Sequence, residues 1–217
     1  MEENRKGTGV FYAVVGVATL VVAIIGATFA YFSAQQTVGD KVSGEAATAG
    51  LTLSVDKVST EATGGLIPIA ESLLDKGLKG DAAQSNKMCL DKDGNTVCQV
   101  YKITVTNNGT AAATLDGTLT LTAAAYTNLK WANMQSAGLT TDTVPSTVGN
   151  TLNESSIKAV TTGEVYAAGA TKYYYVMIYI NETNASQNES DKGSFTGSVT
   201  FNSAGGTGTT ATFSEGA

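Results

Sequence analysis

An uninterrupted apolar run close to the N-terminus constrains this chain more than any other feature. Val10 to Phe32 read VFYAVVGVATLVVAIIGATFAYF, and no charged residue occurs between Lys6 and Asp40. As a helix rising about 1.5 Å per residue, such a run extends about 34 Å, enough to cross a hydrocarbon core of about 30 Å. Arg5 and Lys6 precede it, and the bias of basic flanks toward the cytoplasm directs everything after Phe32 outward. Residues 1–32 therefore read as a signal or transmembrane segment, residues 33–50 as a polar linker or donor-strand arm, and residues 51–217 as the exterior domain. Three fates of the leader stay open. A signal peptidase reading Thr28 and Ala30 would leave Tyr31 as the new N-terminus. The run is also long enough to be kept as an anchor. Finally, Arg5-Lys6-Gly7 before Thr8 resembles an archaeal class III signal, cut after Gly7 so that the apolar helix packs a pilin filament.

The composition of the exterior part narrows its chemistry. The 217-residue chain has 15% charged residues, a net charge of -6 and no histidine. Without histidine the commonest general base and most transition-metal ligand sets are missing. No Gly-x-Ser-x-Gly elbow and no phosphate-cradling Gly-Lys motif occurs either. We expect no catalytic residue, no cofactor and no metal. Basic clusters beyond Arg5 and Lys6 are absent, which argues against nucleic acid as a partner.

Period-2 alternation dominates after residue 50. Leu51, Leu53 and Val55 alternate with Thr52 and Ser54; Tyr101, Ile103 and Val105 with Lys102, Thr104 and Thr106; Phe195, Val199 and Phe201 with Thr196, Ser198 and Thr200. Tyr173 to Ile180, nearly continuous in large apolar residues, predicts a central strand covered on both faces. Leu66 to Leu74 is ambiguous between strand and short helix, a turn is expected from Gly77 to Gly80, and Gln135 to Ser156 reads as a surface excursion. Counting segments predicts about seven to nine strands, an all-β, antiparallel, jelly-roll-like sandwich. Asp93-Gly94 between Cys89 and Cys98 predicts a β-hairpin that brings the two thiols to disulfide distance.

Several short segments, in this order along the chain, resemble the TasA/camelysin family of bacterial surface and biofilm-matrix proteins. They are Gly26-Ala-Thr-Phe-Ala-Tyr-Phe-Ser33 at the leader junction, Gly44-Glu-Ala-Ala-Thr-Ala-Gly-Leu-Thr-Leu-Ser-Val55, Tyr101-Lys-Ile-Thr-Val-Thr-Asn-Asn-Gly-Thr110 with the Leu119 strand, and Phe195-Thr-Gly-Ser-Val-Thr-Phe201. The resemblance implies a secreted or surface-held jelly roll that forms fibres by lending an N-terminal strand to the next subunit. Camelysin-type relatives are sometimes described as metalloproteases, but with no His-Glu-x-x-His that activity does not carry over.

The expectation is thus a non-catalytic structural protein, extracellular or at the cell surface. Its partners would be copies of itself, a signal peptidase, and the membrane through residues 10–32. A membrane-anchored adhesion module and an archaeal-type pilin are the alternatives. Three further features invite a functional reading. Asp91 to Asn95 carries oxygen ligands of the kind Ca²⁺ takes, but its glycine is misplaced for an EF-hand, so a solvated turn is expected. Tyr173 to Tyr175 with Tyr179 would form a carbohydrate platform if one face were exposed, although core packing is expected. Asn108, Asn153, Asn181, Asn184 and Asn188 each open an Asn-x-Ser/Thr sequon.

Overall fold

The computed structural model describes residues 43–48, 50–60, 65–124, 126, 128–149, 151–153, 157–183, 187, 194–203 and 208–215. The predicted leader, with Thr28, Ala30 and Tyr31, lies outside them. Among the described residues no helix is long and apolar enough to cross a membrane.

Among the described residues, ten strands form two antiparallel sheets. They are β1 (Ser43–Thr48), β2 (Leu51–Lys57), β3 (Gln99–Asn107), β4 (Ala113–Ala124), β5 (Leu129–Asn133), β6 (Thr151–Asn153), β7 (Ile157–Tyr166), β8 (Thr171–Ile180), β9 (Ser194–Ser203) and β10 (Thr209–Glu215). Sheet I has the order β1-β2-β3-β8-β5-β6, and sheet II the order β10-β9-β4-β7. The chain crosses between sheets from β3 to β4, from β4 to β5, from β6 to β7, from β7 to β8 and from β8 to β9. The stretch read as linker or arm contributes β1, which pairs with β2 from Ser43 opposite Asp56 to Thr48 opposite Leu51.

The sandwich core follows from the alternation. Leu51, Leu53 and Val55 on β2, Tyr101, Ile103 and Val105 on β3, and Tyr174, Val176, Ile178 and Ile180 on β8 share one buried cluster with Leu115, Leu119, Phe195, Val199, Phe201 and Phe213 of sheet II. Their polar neighbours in sequence point away, as the strand period demands. Two glycines make room for aromatic rings. Gly117 pairs with Phe201, and a Cβ at Gly117 would stand 2.5 Å from that ring. Gly197 pairs with Phe213, and a Cβ there would meet the ring at 2.1 Å. Each phenylalanine lies over its cross-strand glycine and occupies the volume a side chain would take.

A second apolar cluster lies on the outer face of sheet I. Val100, Ala132, Tyr175, Met177 and Tyr179 are covered there by Ile69, Leu74, Leu78, Cys89, Val97, Cys98, Met134 and Val148. These covering residues come mainly from the long β2–β3 connection and from the loop after β5. Strand β8 is consequently buried on both faces, with every residue from Tyr174 to Ile180 inaccessible, as its continuous apolar run predicts.

The ambiguous segment divides: Ile69 forms a parallel bridge with Asn181, and only from Glu71 does the chain turn helical, a 3₁₀ turn at Glu71–Leu73 running into α1 (Leu74–Lys79). Gly77 is therefore a buried helical residue rather than the start of a turn. A Cβ at this position would come within 2.8 Å of Ile69 Cδ1 and 3.2 Å of Val97 Cγ2, so the bare backbone lets α1 sit close to the cystine loop. Cys89 and Cys98 form a disulfide with sulfurs 2.05 Å apart, and both are fully buried. Their hairpin is smaller than its flanks predict: outside the named strands one antiparallel bridge joins Leu90 and Thr96, and Val97 N–H donates to Cys89 C=O at 2.9 Å. The two backbones diverge into separate packing roles, Cys89 N–H donating to Gly77 C=O of α1 while Cys98 leads directly into β3.

Candidate functional site

Two constellations stand out, a set of polar clamps around β8 and the edge of sheet I formed by β1. Each clamp joins a lysine, a carboxylate and a β8 tyrosine. Glu164 on β7 accepts from Lys172 Nζ at 2.6 Å, Tyr174 Oη at 2.7 Å, Thr161 Oγ1 at 2.8 Å and Gly138 N–H at 3.0 Å. Asp142 accepts from Lys102 Nζ at 2.9 Å and Tyr175 Oη at 2.6 Å. Glu71 accepts from Lys130 Nζ at 2.9 Å and Tyr179 Oη at 3.3 Å. Each carboxylate belongs to a different segment. β8 thereby fastens β7, the loop after β5 and the helical excursion.

The Glu164 clamp is the most enclosed, its side chain and that of Lys172 being only 10% and 18% exposed. Burial by itself would raise the Glu164 pKa, but the Lys172, Tyr174, Gly138 and Thr161 donors together outweigh it and hold the carboxyl at about 2. Burial pushes the Tyr174 hydroxyl far upward, reinforced by Tyr166 and by the Glu164 charge. The Tyr174 proton therefore stays in place and points to Glu164. Tyr166 Oη lies 2.5 Å from Tyr174 Oη, so with the Tyr174 proton committed, Tyr166 is the donor of that pair. The Lys172 ammonium also sits 4.9 Å above the Tyr166 ring. In the outer clamp, Tyr175 and Lys102 lower the Asp142 pKa through their hydrogen bonds. The lysines are held in ion pairs and the tyrosine hydroxyls in hydrogen bonds to the same carboxylates.

Of the residues with an expected role, Tyr174, Tyr175 and Tyr179 enter the clamps and the others fall elsewhere. The Asp91 carboxylate is filled by its own turn, Oδ1 accepting from Asp93 N–H at 2.9 Å and Asn95 N–H at 2.8 Å, and Oδ2 from Asn95 Nδ2 at 3.0 Å. It is a self-capped turn. Among the described residues no group of three or more His, Cys, Asp or Glu side chains is placed to hold a metal ion. Tyr174, Tyr175 and Tyr179 are buried and Tyr173 is half-buried, so these rings form core and present no platform. Asn108 is exposed and Asn181 half-buried; Asn184 and Asn188 lie outside the described residues.

The end of the sandwich at the β7–β8 connection gathers three turns around Asn107, which the sequence pattern marks only as part of a strand-ending Asn-Gly. Asn107 is 2% exposed. Its Nδ2 donates to Ala111 C=O at 2.9 Å and Ala167 C=O at 3.1 Å, and its Oδ1 accepts from Gly109 N–H at 3.0 Å. Its backbone N–H donates to Ala170 C=O at 2.9 Å, and Asn108 N–H donates to Gly50 C=O at 2.9 Å. One buried amide thus links the β3–β4 and β7–β8 connections, beside the β1–β2 turn.

The edge strand β1 is held by a six-residue ladder to β2 and also lies beside β10 of sheet II. Its link to β2 is a tight turn whose Gly50 has φ +115, a conformation that favours glycine.

No family model matches this chain, and no curated protein matches it. Among solved structures, a family 123 glycoside hydrolase from Clostridium perfringens is similar at TM-score 0.33 and 13% identity, over 76% of this chain and 27% of that one. A FixG-related protein from Vibrio parahaemolyticus reaches TM-score 0.30 and 8% identity, over 78% of this chain and 97% of that one. The cupredoxin domain of amoB from Nitrosocaldus yellowstonii reaches TM-score 0.29 and 9% identity, over 75% and 85%. The chain spans about a quarter of the hydrolase's length, and likenesses of this degree assign it no activity.

Proposed function

We propose that this chain is a non-catalytic structural protein of the cell surface or extracellular matrix, with a jelly-roll sandwich that assembles into fibres by exchanging β1 between subunits. The observation that supports this reading is the placement of β1 at the edge of sheet I. The residues of β2, β3 and β8 in sheet I and of β4, β9 and β10 in sheet II share one buried cluster. If β1 departs, β2 is left with a row of free backbone groups along Leu51–Lys57, an open edge of the kind that recruits another strand. A second copy's β1 carries the same sequence and fits it in the same register. Exchange of an identical element is a low-cost route to assembly. The TasA/camelysin resemblance of the leader junction and of the β1–β2 segment points the same way, and the leader would supply the export this role requires.

Deleting residues 31–48 tests the proposal. Loss of fibres by electron microscopy, with a folded sandwich retained by circular dichroism, is the expected result; fibres that persist would overturn it. N-terminal sequencing of native protein separates the routes of delivery. A start at Tyr31 accords with release and assembly, an intact Met1 with a membrane tether, and a start at Thr8 with a pilin.

A further inference from the structure

The sequence contains a single Asn-Gly pair, Asn108-Gly109, in the connection between β3 and β4. At such a pair the nitrogen of the glycine can attack the asparagine Cγ, since no Cβ hinders its approach. The attack forms a C–N bond and expels the side-chain amide nitrogen, with the glycine N–H proton, as ammonia. Water then opens the resulting succinimide at either carbonyl, leaving Asp or iso-Asp. Water is the only co-reactant.

Both reacting groups are engaged in this structure. The Gly109 N–H, whose nitrogen is the nucleophile, donates to Asn107 Oδ1 at 3.0 Å. The leaving nitrogen, Asn108 Nδ2, donates to Thr52 Oγ1 at 2.5 Å. The Asn108 backbone is pinned by its N–H to Gly50 C=O. Asn107 cannot easily turn away, because its own Nδ2 is tied to Ala111 and Ala167 in a buried position. Asn108, in contrast, is exposed to water.

We propose that Asn108 is a latent site of spontaneous conversion to Asp and iso-Asp, and that Asn107 holds it closed by occupying the Gly109 amide. Conversion adds a negative charge at this end of the sandwich, and the iso-Asp product inserts an extra methylene into the backbone of the turn. The state of Asn108 then records how long the turn has been open.

Peptide mapping by mass spectrometry after incubation at mildly alkaline pH reads the conversion directly. Asn107→Ala removes the acceptor, and Asn107→Ser keeps one, since a hydroxyl at this position bonds the N–H two residues on; both lose the Nδ2 bonds equally. Conversion at Asn108 should accelerate about fivefold in folded Asn107→Ala, the effect of one hydrogen bond on a rate, and fall back toward wild type in Asn107→Ser. Equal rates in wild type and folded Asn107→Ala would overturn the proposal. Should neither variant fold, wild-type protein is compared folded and in urea: slow conversion when folded and fast when unfolded supports the guard, and equal rates exclude it.

Discussion

At the scale of single residues, Glu164 does the most to bind separate segments together, because it accepts hydrogen bonds from four groups on three stretches of chain. Its folded pKa, about 2, lies below the ordinary glutamate value of 4.5. A depressed carboxyl pKa contributes stability that is fully present above the unfolded value and is lost as pH falls through the folded one. The sandwich should therefore lose stability between about pH 4.5 and pH 2. Glu164→Gln keeps one oxygen acceptor, turns the other position into a donor, and leaves Lys172 without its charge partner, at a cost on the order of 2 kcal/mol. The difference should be largest at neutral pH and shrink toward pH 2, where wild-type Glu164 is itself becoming protonated. Urea unfolding of both proteins across this range measures it; a difference independent of pH would mean that the charge is not the stabilising element. None of this was legible in the sequence. Glu164 and Lys172 are only eight positions apart, but they lie on strands of different sheets, and nothing in their spacing announces that the β7–β8 connection turns a corner between layers.

At the scale of elements, the strands were legible wherever one face is apolar and the other polar, as in β2, β3 and β9. Strand β8 was legible for the opposite reason, its unbroken apolar run requiring cover on both faces. Two kinds of element escaped the pattern. β1, whose residues are Ser, Gly, Glu, Ala, Ala and Thr, has no apolar alternation and owes its strand to the neighbouring β2 ladder. Helix α1 is too short for helical periodicity to register, and Gly77, a breaker by propensity, is helical because Ile69 and Val97 fill the space a side chain would need. The same logic, applied to sheet II, gives a prediction. Gly197→Ala would drive a methyl into the Phe213 ring, and overpacking of this kind costs about 1 to 3 kcal/mol. Thermal unfolding of Gly197→Ala should show that loss, and Phe213→Leu in the same chain should recover part of it. The cystine acts on the other layer. Closing its short loop contributes about 2.5 kcal/mol by loop entropy, and the fragment it fixes is the cover of the outer cluster. Cys89→Ala with Cys98→Ala should therefore raise amide exchange across residues 65–98 well before it affects β2 or β9. Uniform acceleration throughout the sandwich would show that the bridge instead sets global stability.

At the scale of the whole molecule, the question is what balances β1 at home against β1 on a neighbour. The ladder to β2 and the contact with β10 are the same in both, so they cancel. What remains is the turn at Gly50, which must be sharp at home and extended after exchange, set against the entropy lost when two chains associate. Gly50 holds φ +115, and no heavy atom lies within 4 Å of the place a Cβ would take, so an alanine there meets no steric clash and acts through the backbone alone. A residue with a Cβ resists positive φ by about 1 to 2 kcal/mol, and an extended hinge relieves that strain. Gly50→Ala should thus weaken the closed hairpin, shifting the equilibrium toward exchanged dimers and fibres by about fivefold to thirtyfold at equal protein concentration. Light scattering and electron microscopy over a dilution series measure the shift. A variant that is less stable yet no more associated would separate the fate of the turn from assembly, and with it remove β1 exchange as the mechanism.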